Sequence, residues 1–165
     1  RLDRFGRGGH HRPFNDLGYA GVRIMEAHEN YNRQHQDIRT ENGIEYGDVI
    51  SGVNFKYAKK LTAVNAINLA SLGWSPKEPN NVKIGGAVKP STKLKWEKPK
   101  NSKILGYKIY WRKTTSAFWE NSRFVGDINE FTLKGIVIDN YLFGISSVGN
   151  NYQESIIVFP KDVFN

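Results

Sequence analysis

The chain has 165 residues, 39% of them hydrophobic and 13% aromatic, a composition that supplies a core and excludes an intrinsically disordered protein. It contains no cysteine, which excludes disulfides, thiol nucleophiles and cysteine zinc sites, so any metal must be held by His, Asp or Glu. The net charge of +8 is uneven, +2 over residues 1–75 and +6 over residues 76–165, where nearly all of the excess is lysine.

The chain opens on Arg1-Leu2-Asp3-Arg4 without a methionine, from which a processed or truncated start is expected. No apolar run approaches the roughly 20 residues of a membrane-spanning helix, so no membrane span is expected. All four histidines, His10, His11, His28 and His35, fall within the first 35 residues, beside Asp3, Asp16, Glu26, Glu29 and Asp37. Imidazoles near carboxylates suit a metal or acid–base site. No spacing here matches an HExxH helix or a His-x-His strand pair, however, and solvated loop histidines would read the same way. Arg7-Gly8-Gly9 invites an RNA-binding reading, but such tails repeat the motif many times. The glycines here fit a tight loop where backbone passes close to a pocket.

Residues 53–72 contain neither Gly nor Pro and place Tyr57, Leu61, Val64, Ile67 and Leu72 at helical spacing. Asn54 is the expected N-cap, Gly73 the expected stop and Pro76 the residue beyond it. The polar, proline-punctuated stretch 75–81 fits neither period, and the domain boundary is placed there, with a linker over 76–81 between domains at 1–75 and 82–165. Beyond it the period becomes two: Leu94 and Trp96, then Tyr107, Ile109 and Trp111, then Tyr141, Phe143 and Ile145. Two more strands are expected at Phe131-Thr132-Leu133 and Ile156-Ile157-Val158-Phe159. Short strands and turns without a helix read as a small β-sandwich, with Trp96 and Trp111 as core anchors. Lys93, Lys95, Lys98, Lys100, Lys103 and Lys108 stand between apolar residues, as on a solvated strand face; a basic patch for nucleic acid or an anionic polymer is the sharper alternative.

The order Leu94-Lys95-Trp96, Tyr107-Lys108-Ile109-Tyr110, Leu133 and Tyr141-Leu142-Phe143-Gly144-Ile145 resembles a fibronectin type III domain. The gap from Leu133 to Tyr141 is longer than that family's usual spacing and holds no Pro. If Tyr141 is the tyrosine-corner residue, its hydroxyl is expected to bond upstream backbone.

The first half carries a second resemblance. Arg7-Gly8-Gly9-His10-His11-Arg12-Pro13-Phe14, then Gly18-Tyr19-Ala20-Gly21-Val22-Arg23, then Glu29-Asn30-Tyr31-Asn32-Arg33-Gln34-His35-Gln36-Asp37 resemble the C-terminal end of a zinc-dependent aminopeptidase domain. The group is that of the dizinc exopeptidases, with aminopeptidase S, aminopeptidase Y and the glutaminyl cyclases. The resemblance implies an α/β peptidase fragment over residues 1–75, whose closing helix starts at Asn54, followed by the β-sandwich that several bacterial members also carry. It further implies two zinc ions in the full-length parent, a peptide substrate cut at its N-terminus, and an extracellular or periplasmic location.

Carried over residue by residue, the resemblance implies that His35 is the last zinc ligand, with Asp37 or a backbone carbonyl orienting its second nitrogen. His11 and Phe14 match a loop that packs near the active site, and His10 stands where the family has aspartate, exchanging an acceptor for a ring that titrates. Gln34 stands where relatives place a tyrosine whose hydroxyl would help hold a developing oxyanion, a role open to Tyr31 if the loop folds back. The other ligands and the general base are expected upstream of Arg1, so this segment alone is expected to be inert. No nucleic-acid partner is expected; contact with a cell surface or polysaccharide through the β-sandwich is. The alternative reading is a non-enzymatic binding module carrying a remnant peptidase segment.

Overall fold

The structure, a computed structural model, describes residues 9–26 and 28–164; Asp3, Arg7 and Gly8 lie outside them. The chain divides into two compact units, Arg1–Asn65 and Ala66–Asn165, the division falling inside a long helix.

In the first unit a short helix α1 (Arg12–Asp16) carries Pro13 in its first turn, where the missing N–H costs nothing. Strands β1 (Arg39–Glu41) and β2 (Ile44–Tyr46) pair antiparallel, Arg39 opposite Tyr46 and Glu41 opposite Ile44. Asn42 and Gly43 join them with φ of 51° and 75°, the double left-handed turn that matches strand twist and that Asn-Gly accepts readily. A single 3-10 turn, Ile50–Gly52, leads to helix α2 (Phe55–Trp74). Asn54 caps that helix, its Oδ1 accepting from the Tyr57 N–H at 3.1 Å, as expected. The end differs from expectation: the helix passes through Gly73 and stops at Trp74. Its last turn is closed by Ser75, whose Oγ donates to the Leu72 carbonyl at 2.8 Å, so no left-handed glycine is needed.

Of the described residues up to Asn65, only Gly47 is buried. Phe14, Leu17, Tyr19, Val22, Ile38, Ile44 and Phe55 all stand exposed. Among its described residues the unit has helices and one hairpin, and these alone do not show a layered α/β architecture.

The second unit is a β-sandwich. One sheet is built from β3 (Asn80–Gly85), β4 (Ser91–Glu97), β7 (Glu130–Lys134) and β9 (Asp162–Val163) in the order β7-β4-β3-β9. The other is built from β5 (Ile104–Lys113), β6 (Asn121–Gly126) and β8 (Tyr141–Gly149) in the order β6-β5-β8. Alternation sends Val82, Leu94, Trp96 and Leu133 of the first sheet and Tyr107, Ile109, Phe143 and Ile145 of the second into one shared core. Trp96 is fully packed, its ring edge-on to Tyr107 at 5.2 Å, while Trp111 is only half-buried at the margin.

Four features depart from the sequence reading. Strand β3 begins inside the expected linker and β6 lies where no strand is expected, both pairing with central strands. The segment expected as a strand at Ile156 keeps only an isolated bridge between Val158 and Ile145 in its own sheet. It then crosses to the other sheet, where Lys161 N–H donates to Val82 at 3.0 Å and Phe164 N–H to Ile84 at 2.9 Å. The Tyr141 corner is built differently as well. A 3-10 turn at Ile138–Asn140, with Ile136 and Ile138 packed on the core, fills the long gap, and the Tyr141 ring packs on Phe143 at 6.4 Å without a hydroxyl bond among the described residues.

Candidate functional site

The first unit contains a cleft of about 740 Å³ whose lining includes Arg23, Glu29, Gln34, His35, Asp48 and Tyr57. One wall is the loop that carries His35. Asn30 starts it by turning the chain on itself: its Oδ1 accepts from Asn32 N–H and its carbonyl from Arg33 N–H, both at 3.1 Å. The loop is then tied to the hairpin twice. Gly47 N–H donates to the Asn32 carbonyl at 2.9 Å, and the Arg33 guanidinium pairs with Glu45 at 2.5 Å. Gly47 has φ of 92°, and a Cβ there would come within 2.8 Å of the Ile38 backbone, so only glycine allows this approach. Downstream, Arg39 lies over the Tyr46 ring at 4.1 Å and donates to Gln36 Oε1 at 3.2 Å.

Held in this way, His35 adopts φ of 55°. A non-glycine residue there carries a backbone cost of about 1–2 kcal/mol that the surrounding contacts must offset, and such positions concentrate at functional sites. Its imidazole is exposed, and neither ring nitrogen has a hydrogen-bond partner among the described residues. Opposite charges meet within the lining: Arg23 Nη2 and Glu29 Oε1 stand 3.4 Å apart, with the Glu29 side chain only 7% exposed. Gln34 Oε1 is buried and has no donor among the described residues.

Glu26 also lines this cleft, whereas His10, His11, Tyr31 and Asp37 do not. His10 is exposed and His11 half-buried at the start of α1; Asp37 is exposed, with its backbone carbonyl accepting from Arg39 at 3.4 Å; Tyr31 is 44% exposed. Sequence reasoning missed Arg23, Asp48 and Tyr57 as cleft residues, because the chain path and not a spacing brings them together. The Asn42-Gly43 turn signal, which folds the chain back toward Asp48, was the available clue.

Zinc takes three or four protein donors at about 2.0–2.3 Å. Among the described residues no group of three or more His, Asp or Glu side chains is placed to hold a metal ion. The described residues therefore do not by themselves fit a zinc site.

No protein-family model matches the chain. Its sequence is 44% identical over 161 residues to a probable zinc metalloprotease of Leptosphaeria maculans, an alignment covering 97% of this chain and 37% of that protein. Probable zinc metalloproteases of Phaeosphaeria nodorum and Pyrenophora tritici-repentis are 39% and 38% identical, again over 97% of this chain and over 33% and 38% of theirs. The chain spans about a third of the length of the curated relatives it matches. Among solved structures it is similar to an Fn3-like protein from Clostridium thermocellum, with a TM-score of 0.42 and 14% identity over 50% of this chain and 85% of that one. It is similar also to the fn3 domain of human collagen alpha-1(XX), with a TM-score of 0.42 and 17% identity over 56% of this chain and 90% of that one. No helix among the described residues is long and apolar enough to cross a membrane.

Proposed function

We propose that the chain is the C-terminal part of a secreted zinc-dependent aminopeptidase that releases N-terminal residues from peptides and uses two zinc ions. Residues up to about 75 would be a fragment of its α/β catalytic domain, and the β-sandwich an appended module. The observation that carries this reading is the 44% identity to a probable zinc metalloprotease along 97% of the chain. The first unit supports it physically. A segment that leaves Phe14, Leu17, Val22, Ile38 and Phe55 in solvent and, among its described residues up to Asn65, buries only Gly47 suits packing inside a larger domain.

In this reading the chain's own residues present and hold a donor. His35 offers one imidazole at the lip of the cleft, and the Arg33–Glu45 pair fixes the loop behind it. The remaining donors and the general base belong to upstream sequence. The alternative is a non-enzymatic binding module with a remnant peptidase segment. One assay separates the two. The full-length protein is expected to release the first residue from peptides with a free amino terminus and to leave N-acetylated copies intact. Internal cleavage would point to an endopeptidase, and no cleavage of either would favour the binding module.

A further inference from the structure

The outward faces of the two sheets differ in chemistry. On β4 the residues between the core positions are Ser91, Lys93, Lys95 and Glu97, and the register lays Lys83 of β3 directly opposite Lys95. On the other side, Ser91 faces Lys134, Lys93 faces Thr132 and Lys95 faces Glu130. Like charges directly across a strand pair are destabilising, so the Lys83–Lys95 register costs the sheet stability that a neutral pair would not.

Glu130 compensates in part, at 3.0 Å from Lys93 Nζ and 3.6 Å from Lys95 Nζ. Lys83, Lys89 and Lys134 are exposed and have no ion-pair partner among the described residues. The same face carries a shallow cavity of about 430 Å³ whose lining includes Gly85, Lys89, Ser91, Lys93, Lys95 and Thr132. The face thus holds five lysines against Glu97, Glu130 and Asp162, the last set beside Lys83 by the β3–β9 register, and no arginine.

We propose that this outer face of the four-stranded sheet docks an acidic polysaccharide, with sugar carboxylates lying along Lys83, Lys93 and Lys95. Charge complementarity sets the sign of the partner, and the rest of the face sets its class. Nucleic-acid grooves combine basic residues with aromatic platforms for bases, and here the nearby ring, Phe164, already lies under the Lys95 ammonium at 4.9 Å. Phosphate recognition favours the planar fork of arginine, which the face lacks. Membrane surfaces hold proteins by inserting apolar side chains, and the outward strand residues of β3, β4 and β7 include none. Lysine point charges with small hydroxyls at Ser91 and Thr132 suit a hydrated, carboxylate-bearing sugar chain. This inference is independent of the peptidase reading.

The test uses the whole chain with polygalacturonate as probe, and dextran, single-stranded DNA and phosphatidylserine vesicles as comparisons. Binding to polygalacturonate is expected at about 20 mM salt and is expected to weaken at about 150 mM, where screening shortens to about 8 Å. The double variant Lys83→Glu/Lys95→Glu should lose roughly tenfold or more in affinity, and the milder Lys83→Gln/Lys95→Gln part of that, both with wild-type circular dichroism. Lys59→Glu/Lys60→Glu on α2 makes the same charge change elsewhere and should stay within about twofold. The proposal is overturned by no binding at low salt, by equal losses in the sheet and helix variants, or by tighter binding to DNA or vesicles than to polygalacturonate.

Discussion

Glu154 is the side chain on which most polar contacts of the sandwich converge. Its carboxylate accepts from Lys108 Nζ at 2.9 Å, from Ser146 Oγ at 3.0 Å and from the Tyr110 hydroxyl, pinning the loop after β8 to the outer face of β5. Burial alone would raise this carboxyl, but the hydrogen bonds from Tyr110, Lys108 and Ser146, with the Lys108 charge, outweigh it and hold Glu154 below its ordinary value. A lowered carboxyl stabilises the fold above its unfolded value of 4.5 and loses that contribution as pH falls through the folded value. Lys108 is shifted the other way, chiefly by its hydrogen bond to Glu154, so its contribution is full below 10.5 and fades as pH rises through its folded value. Tyr107, pushed up to about 12 by burial and then by the charge of Asp127, likewise favours the folded state below pH 10 and fades above it. Glu154→Gln should therefore cost about 1–2 kcal/mol at pH 7, allowing for the partial exposure of the site. That difference from wild type, measured by denaturant unfolding, should shrink toward zero near pH 3; a gap independent of pH would show that the charge is not what holds the loop.

At the scale of elements, the legible strands were those that pair a buried face with a solvated one. Leu94 and Trp96, and Tyr107 and Ile109, alternate because their sheet has water on one side, and that is the pattern a sequence prints. Strand β6 hides because its first four residues are all exposed, which leaves no alternation to see. Strand β3 hides because Asn80 and Asn81 read as linker, although a register shift there lets Asn81 adopt φ of 48° and donate to Glu97 at 2.8 Å. The opposite error arose at Ile156, whose apolar run packs side chains on Trp119 and Gly144 while its backbone passes between sheets. For the cleft, His35 was legible only by resemblance, since a positive φ and a two-point anchor to a hairpin leave no periodic trace. The two units predict different behaviour in isolation. Residues from about 80 to 165 hold a complete two-sheet core and should melt cooperatively with a β-type circular dichroism spectrum. Residues 1–75, with only Gly47 buried among those described up to Asn65, should show no cooperative transition. A sharp melt of the first segment alone would mean that it is a self-sufficient domain and not a piece of a larger one.

Along the whole chain, a loop that displays a histidine is followed by a sandwich that folds around its own core. The two halves differ in their apolar surface: the second encloses Val82, Leu94, Trp96, Tyr107 and Ile109, whereas the first leaves most of its described large apolar side chains exposed. The relatives named as probable zinc metalloproteases are about three times as long as this chain. The most direct measurement is zinc content and aminopeptidase activity of the full-length protein against its His35→Ala variant. If His35 is a metal donor, the variant should lose zinc affinity and peptide hydrolysis by about tenfold or more with an unchanged melting temperature, since an exposed imidazole contributes little to the fold. Equal zinc content and equal turnover in the two proteins would contradict the assignment of His35.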